Sequence, residues 1–366
     1  MSAQLVPVLV VVVTSSGLIA AWLFATKVIG HFKGRFDQFR RASYIGALSE
    51  IVTRSGYPLH TLRSWAADRV FLDTLLDFLR SVQGRERANL LRIARDLGIV
   101  QRFVWDLERS RRRERRVVAA SALAELGDPS TADALLAALG DRVPEVRVQA
   151  ADALAGLKDP RAVPPLVKLL EEETDWNASR IADSLVKLGT VSVPVLARYL
   201  ILSDPAVDRP GRRLPLVARV LGSIGDVGAE PALLSALDGD EVELRIRAAA
   251  ALGTAGTPQC VPALMRAVAD PAWEVRAQAV KALGERMDPR AVDVLIEALR
   301  DRQWWVRRNA AEALALIPGG RQALIDAQGD QDAFARDAAR EQLMLNGNLP
   351  VVGSLGADDT AVREAG

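Results

Sequence analysis

A leucine closes the same short pattern, R-x-x-A-x-x-A-L, along most of the chain. It stands at Leu123, Leu154, Leu185, Leu221, Leu252, Leu283, Leu314 and Leu343, with spacings of 31, 31, 36, 31, 31, 31 and 29 residues. A period of this size builds a solenoid, because one unit cannot bury its apolar face alone and stacking supplies the core. Seven residues before the leucine stands Arg116, Arg147, Arg245, Arg276, Arg307 or Arg336; units three and four carry Ala178 and Leu214 there instead. Alanine follows each arginine by three, at Ala119, Ala150, Ala248, Ala279, Ala310 and Ala339. Offsets of three and seven share one helix face, and alanine on that face lets neighbouring helices come close.

Each unit then breaks at Gly127-Asp128-Pro129 or a relative of it, and a second apolar stretch follows, such as "RAVPPLVKLL" after Pro160. Glycine suits a helix stop and proline a helix start, so the unit reads as helix, turn, helix. Residues 113–346 therefore resemble the HEAT-repeat family, in its short-unit, phycobilisome-lyase-like form. The resemblance implies an all-α fold: a right-handed α-solenoid of about eight helical hairpins. It also implies a ladder in which an aspartate of the inter-unit turn bonds the helix arginine between successive units. Aspartate stands six before arginine at Asp141 and Arg147, Asp270 and Arg276, Asp301 and Arg307, and Asp330 and Arg336. Glu172 and Gly239 occupy that place in units three and five, and a five-residue insertion around "DPAVDRPGRRLP" separates units three and four.

Residues 5–29 carry one charge, Lys27. An apolar run of about 20 residues spans a bilayer core as a helix. A cleaved signal peptide is the rival, but it calls for a basic start, a shorter apolar core and an A-x-A site, which "MSAQ" and the following run lack. Residues 1–30 are thus expected to form a retained single-pass anchor. The basic flank Lys27, Lys33, Arg35, Arg40 and Arg41 follows the run and nothing basic precedes it. The positive-inside rule then places the N-terminus outside and the solenoid on the cytoplasmic side of the inner membrane. Residues 27–116 hold 20 Lys/Arg against 10 Asp/Glu, and residues 117–366 hold 27 against 36. The basic zone would face anionic lipid headgroups, or simply set topology.

Residues 31–112 lack the repeat but read as amphipathic helices, stopping near Gly56-Tyr57-Pro58 and at Gly84, and are expected to cap the solenoid. The run Arg111 to Arg116 reads as a solvated face, with lipid contact second and nucleic acid third, since the array itself is acidic. Residues 347–366 hold few large apolar side chains and are expected to be a disordered tail.

Chemistry is sparse in the sequence. His31 and His60 are the only histidines and Cys260 the only cysteine. A disulfide within the chain and a cysteine zinc site are excluded, and the histidine–glutamate iron site of HEAT-type hydroxylases has no counterpart in residues 113–346. No phosphate-binding loop, nucleophile elbow or zinc-protease motif occurs. No cofactor and no metal is expected. The expected function is a non-enzymatic, membrane-anchored scaffold whose solenoid binds a partner protein. The layout also resembles bacterial membrane-anchored HEAT proteins linked to exopolysaccharide glycosyltransferases, which implies a membrane glycosyltransferase or another membrane complex as the partner. Two alternatives stay open: a lyase-like or small-ligand-binding protein, and an electrostatic lipid or nucleic-acid binder through residues 27–116. For the partner site the sequence offers an aromatic edge. Trp273 and Trp304 share one register, Trp176 and Trp305 share the next, and Arg308 stands beside them outside the repeat pattern. The same rings could instead pack between units.

Overall fold

A computed structural model describes residues 37–51, 59–202 and 213–345. The expected anchor with Lys27, Lys33 and Arg35, the Gly56-Tyr57-Pro58 stop, most of the insertion and the tail 347–366 lie outside the described residues. Every element among the described residues is helical; none is a strand. The fold is the expected all-α solenoid of stacked helical hairpins. The chain divides into two compact units, Met1–Ala153 and Leu154–Gly366.

The first unit holds α1 (37–51), α2 (Leu59–Trp65), α3 (Arg69–Ser81), α4 (Gly84–Asp96), α5 (Ile99–Arg109), α6 (Arg113–Leu126), α7 (Ala132–Ala138) and the start of α8 (Pro144–Leu157). α3 ends at Ser81 just before the stop expected at Gly84, Gly84 also opens α4, and the chain turns again at Gly98, whose φ of 72° divides α4 from α5. Tyr44, Trp65 and Phe71 form an aromatic cluster with ring centroids 4.9 to 6.0 Å apart. Both α3 and α5 pack on α6, so the first repeat helix shares its core with the preceding helices.

The second unit continues with α9 (Val163–Glu172), α10 (Asp175–Leu188), α11 (Val193–Leu202), α12 (Leu214–Ile224), α13 (Glu230–Leu237), α14 (Val242–Ala255), α15 (Val261–Ala267), α16 (Trp273–Arg286), α17 (Val292–Ala298), α18 (Trp304–Leu316), α19 (Gly320–Ala327) and α20 (Ala333–Leu345). The eight repeat leucines all lie on the even-numbered helices α6 to α20, and each is at most 1% exposed. The six repeat alanines are fully buried too. In units three and four, Ala178 and Leu214 are buried where the arginine would stand.

The first helices of successive units stack directly, α12 on α14, α14 on α16 and α16 on α18, and α13, α15 and α17 each pack on the first helix that follows. Glycine makes this stack close. A Cβ on Gly222 would lie 2.7 Å from the Ala251 Cβ, and one on Gly284 would lie 2.8 Å from the Ala313 Cβ. Each glycine directly follows a repeat leucine, and each alanine directly precedes one. The turn between the two helices of a unit is shaped by an aspartate that accepts a backbone N–H two residues on: Asp128 from Ser130, Asp159 from Arg161, Asp226 from Gly228 and Asp288 from Arg290.

Among the described residues one stretch is long and apolar enough to cross a membrane, Asp175–Leu202. It consists of α10, a 3-10 turn at Gly189–Ser192, and α11. Its Ile181, Leu185, Leu188 and Leu196 are buried, so its apolar character serves the third repeat's core.

Candidate functional site: the arginine ladder and its aromatic end

The ladder forms, with a pairing that crosses units. Arg276 Nε donates to Asp301 Oδ2 at 2.7 Å and its Nη2 to Asp301 Oδ1 at 3.0 Å. Arg245 grips Asp270 in the same way at 2.8 and 3.1 Å, and Arg116 grips Asp141 at 2.7 and 3.0 Å. In each case the aspartate lies 25 residues beyond the arginine, in the next turn between units. The aspartate six residues before an arginine meets it differently. Its backbone carbonyl accepts from Nη1, at 2.8 Å for Arg147 and Asp141, 3.0 Å for Arg276 and Asp270, 2.9 Å for Arg307 and Asp301, and 2.7 Å for Arg336 and Asp330. A backbone acceptor explains why Gly239 can stand in the fifth unit, where its carbonyl takes Arg245 Nη1 at 3.1 Å. The carboxylate is then left for the neighbour, and it also accepts the backbone N–H two residues on, as Asp301 does from Gln303 at 2.8 Å. Burial works against the charged form of Asp301, but the Arg276 guanidinium and that N–H outweigh it and lower the pKa.

One arginine–aspartate pair lies outside the ladder and has no trace in the period. Arg95 of α4 holds the fully buried Asp128, with Nη2 donating to Oδ1 at 2.8 Å. Arg95 chiefly, with the Ser130 N–H and hydroxyl against the opposing effect of burial, holds the Asp128 carboxyl down to about 2. Units three and four, which lack the repeat arginine, use Arg213 instead. Its Nη1 donates to Asp175 Oδ1 at 2.5 Å and its Nη2 to the Glu173 carbonyl at 2.7 Å.

The basic residues proposed to flank a membrane are engaged with carboxylates where they are described. Arg40 pairs with Asp37 at 2.6 Å and with Asp68, and Arg41 pairs with Asp77. Charge pairing in α1 therefore lowers the positive field available to lipid. A groove of about 830 Å³ lies among α3, α5 and α6, with Leu72, Leu76, Phe103, Trp105 and Val118 on its walls. Cys260 is buried, and burial pushes its thiol pKa up. Among the described residues no cluster of three or more His, Cys, Asp and Glu side chains could hold a metal ion.

The aromatic edge lies at the surface. Trp176 is 76% exposed, Trp305 51% and Trp304 43%, while Trp273 is half-buried. Trp304 and Trp305 meet edge to face with centroids 4.7 Å apart. Arg308 lies 5.2 Å from the Trp304 centroid and 5.8 Å from that of Trp305, and pairs with Glu312 at 2.9 Å. Phe334, 56% exposed, was not among the residues expected from sequence. Its register is the signal that identifies it, because it stands nine residues before Leu343, as Trp305 does before Leu314 and Trp176 before Leu185.

A model of HEAT repeats matches residues 100–186, 230–315 and 266–344, more than half of the chain. The chain belongs to the HEAT-repeat family. No curated protein matches it in sequence. Among solved structures, the Kap95:Nup1 complex is similar with a TM-score of 0.54 and 13% identity, over 82% of this chain and 47% of that one. The complex of CpcE and CpcF of phycocyanin lyase from Nostoc sp. PCC7120 is similar at 0.32 and 21%, over 68% and 94%. An engineered protein is similar at 0.38 and 20%, over 84% and 95%. This HEAT array thus spans less than half of the Kap95:Nup1 chain it matches, and identities this low speak for the fold alone.

Proposed function

We propose that this HEAT protein is a non-enzymatic scaffold that binds a partner protein through the aromatic edge of its array. The observation that carries this reading is the exposure of Trp176, Trp304, Trp305 and Phe334 at repeating positions on the first helices. Large exposed aromatics are costly to leave in water and are typical anchors of protein interfaces. The similar Kap95:Nup1 structure is itself a complex of two proteins, which supports the same use of the fold. In this proposal residues 5–29 anchor the scaffold in the inner membrane with the array in the cytoplasm. The partner is then a membrane protein, with a membrane glycosyltransferase as the specific suggestion.

The test is crosslinking and co-purification of the full chain from native membranes, read by mass spectrometry. The wild-type chain is compared with a Trp176→Ala, Trp304→Ala, Trp305→Ala variant. A defined protein captured by the wild type and lost with the variant supports the reading. Capture unchanged by the three substitutions overturns the aromatic edge as the site, and extraction of the chain by alkaline carbonate overturns the anchor.

A further inference from the structure

The last rung of the ladder stands open. Arg307 is the repeat arginine of the seventh unit, and it is fixed like its counterparts. Its Nη1 donates to the Asp301 carbonyl at 2.9 Å and to the Arg302 carbonyl at 3.1 Å. Arg276 anchors its Nη1 to Asp270 and Pro271 in the same way, at 3.0 and 3.2 Å. The two arginines differ at the other edge. The Nε and Nη2 of Arg276 hold a carboxylate, as do those of Arg245 and Arg116, whereas no carboxylate among the described residues holds the same edge of Arg307.

The cause is a change of length. The eighth unit follows the seventh by 29 residues rather than 31, so its turn aspartate, Asp330, comes two residues early. Asp330 is taken by Arg300, whose Nη2 donates at 2.7 Å and Nε at 3.3 Å. Other inter-unit turns carry glycine or alanine at that place, Gly140 and Ala269. Asp332, 25 residues beyond Arg307, accepts the Ala335 N–H at 3.0 Å. Phe334 stacks against the Arg307 guanidinium, 4.4 Å from centroid to Cζ.

Arg307 lines a cavity of about 190 Å³ between α18 and α20, with Trp304, Arg308, Phe334 and Leu345 beside it. Asp337 and Glu341 of α20 also line it. A guanidinium held on one edge and stacked on a ring keeps its fork in place, so little freedom is lost when a carboxylate docks. The carboxylates of α20 confine an incoming negative charge to the α18 side and disfavour a polyacidic run.

We propose that Arg307 is a binding site for one aspartate or glutamate side chain of a partner protein, presented beside an apolar residue that lies against Trp304 and Phe334. The incoming carboxylate replaces the missing ladder aspartate. This proposal rests on the scaffold reading for the partner, and on the geometry of the rung for the chemistry.

The probe is a labelled peptide with blocked ends copying residues 268–273, VADPAW, whose one carboxylate is a ladder aspartate beside apolar residues, with a twin bearing Asn for Asp. Fluorescence anisotropy measures both against the full-length chain in detergent. The aspartate peptide is expected to bind at least about 10-fold tighter than its twin, a difference of ~1.4 kcal/mol. Arg307→Gln should reduce it to the level of the twin. Arg307→Lys, which keeps the charge and loses the fork, should weaken it several-fold, and a thermal melt of each variant confirms folding. A variant ending at Leu345 should bind as the wild type does. Equal binding of the two peptides, or no effect of either Arg307 substitution, overturns the site. A tenfold gain on removing residues 346–366 overturns the partner as occupant in favour of the chain's own tail. The two readings fail separately. A partner captured by Arg307→Gln but not by the tryptophan variant sinks the carboxylate site alone. Peptide discrimination without any captured partner sinks the scaffold alone.

Discussion

Arg276 and Asp301 belong to different repeats, and their two parallel hydrogen bonds, at 2.7 and 3.0 Å, tie one unit to the next. The side chains are only 18% and 13% exposed, so the pair sits where water screens it little. Removing either partner leaves the other charge half-buried without its match. Arg276→Ala and Asp301→Ala should each cost about 2–3 kcal/mol, and a double-mutant cycle should return a coupling of about 1–2 kcal/mol. Arg276→Lys should recover part of the loss, because lysine keeps the charge without the fork. Urea titration of the five proteins measures this, and additive single effects would count against a direct pair.

Two glycine substitutions should move stability in opposite directions. Gly46 lies in α1 with nothing within 4 Å of a Cβ built on it, so Gly46→Ala should stabilise by about 0.5–1 kcal/mol through helix propensity alone. Gly284 lies in α16, where a Cβ would fall 2.8 Å from the Ala313 Cβ and 2.9 Å from its Cα. Pushing α16 off α18 should outweigh the same gain and leave a net loss of about 1–2 kcal/mol. Thermal melts of the two variants give the signs directly.

Acid should weaken the fold where a buried carboxylate depends on arginine. The Asp128 carboxyl is held down to about 2 from its ordinary 3.8, chiefly by Arg95. A carboxyl lowered in the folded state stabilises above its unfolded pKa, and that contribution is lost as pH falls through the folded one. The contribution, on the order of 2 kcal/mol, should therefore be complete at neutral pH and vanish between about pH 4 and pH 2. Arg95→Gln should lower stability at pH 7 and flatten this acid limb. Urea midpoints across that range test both, and an unchanged slope in the variant would rule out the pair as its source.

Exposure separates the aromatic edge from the core. Trp176→Ala, at a ring 76% exposed, should change stability by less than about 1 kcal/mol. Leu283→Ala, at a fully buried repeat leucine, should cost about 2–5 kcal/mol. A large loss on Trp176→Ala would return that ring to the packing between units.

The repeat was legible because its signals are local. Leu283 and Ala279 follow a helical spacing, Asp288 and Pro289 mark a turn, and each unit repeats the arrangement. The ladder residues were legible as a set, yet their pairing was not. A spacing of six puts Asp270 near Arg276, while only the stacking of α16 and α18 shows that Arg276 reaches Asp301 with its fork and Asp270 with the other edge. The pair of Arg95 and Asp128 was hidden because α4 lies outside the period, and Phe334 was hidden because phenylalanine does not look like the tryptophans whose register it shares.

By itself the sequence determined the helices, their turns and the buried face, since an apolar stripe at helical spacing has one way to leave water. The tertiary structure decided what lies outside that stripe. Burial of Trp176 and Trp305 depends on what the neighbouring helices cover, and they cover little. The partner of Arg307 depends on where the next turn falls, and two missing residues move Asp330 to Arg300 and leave the fork open.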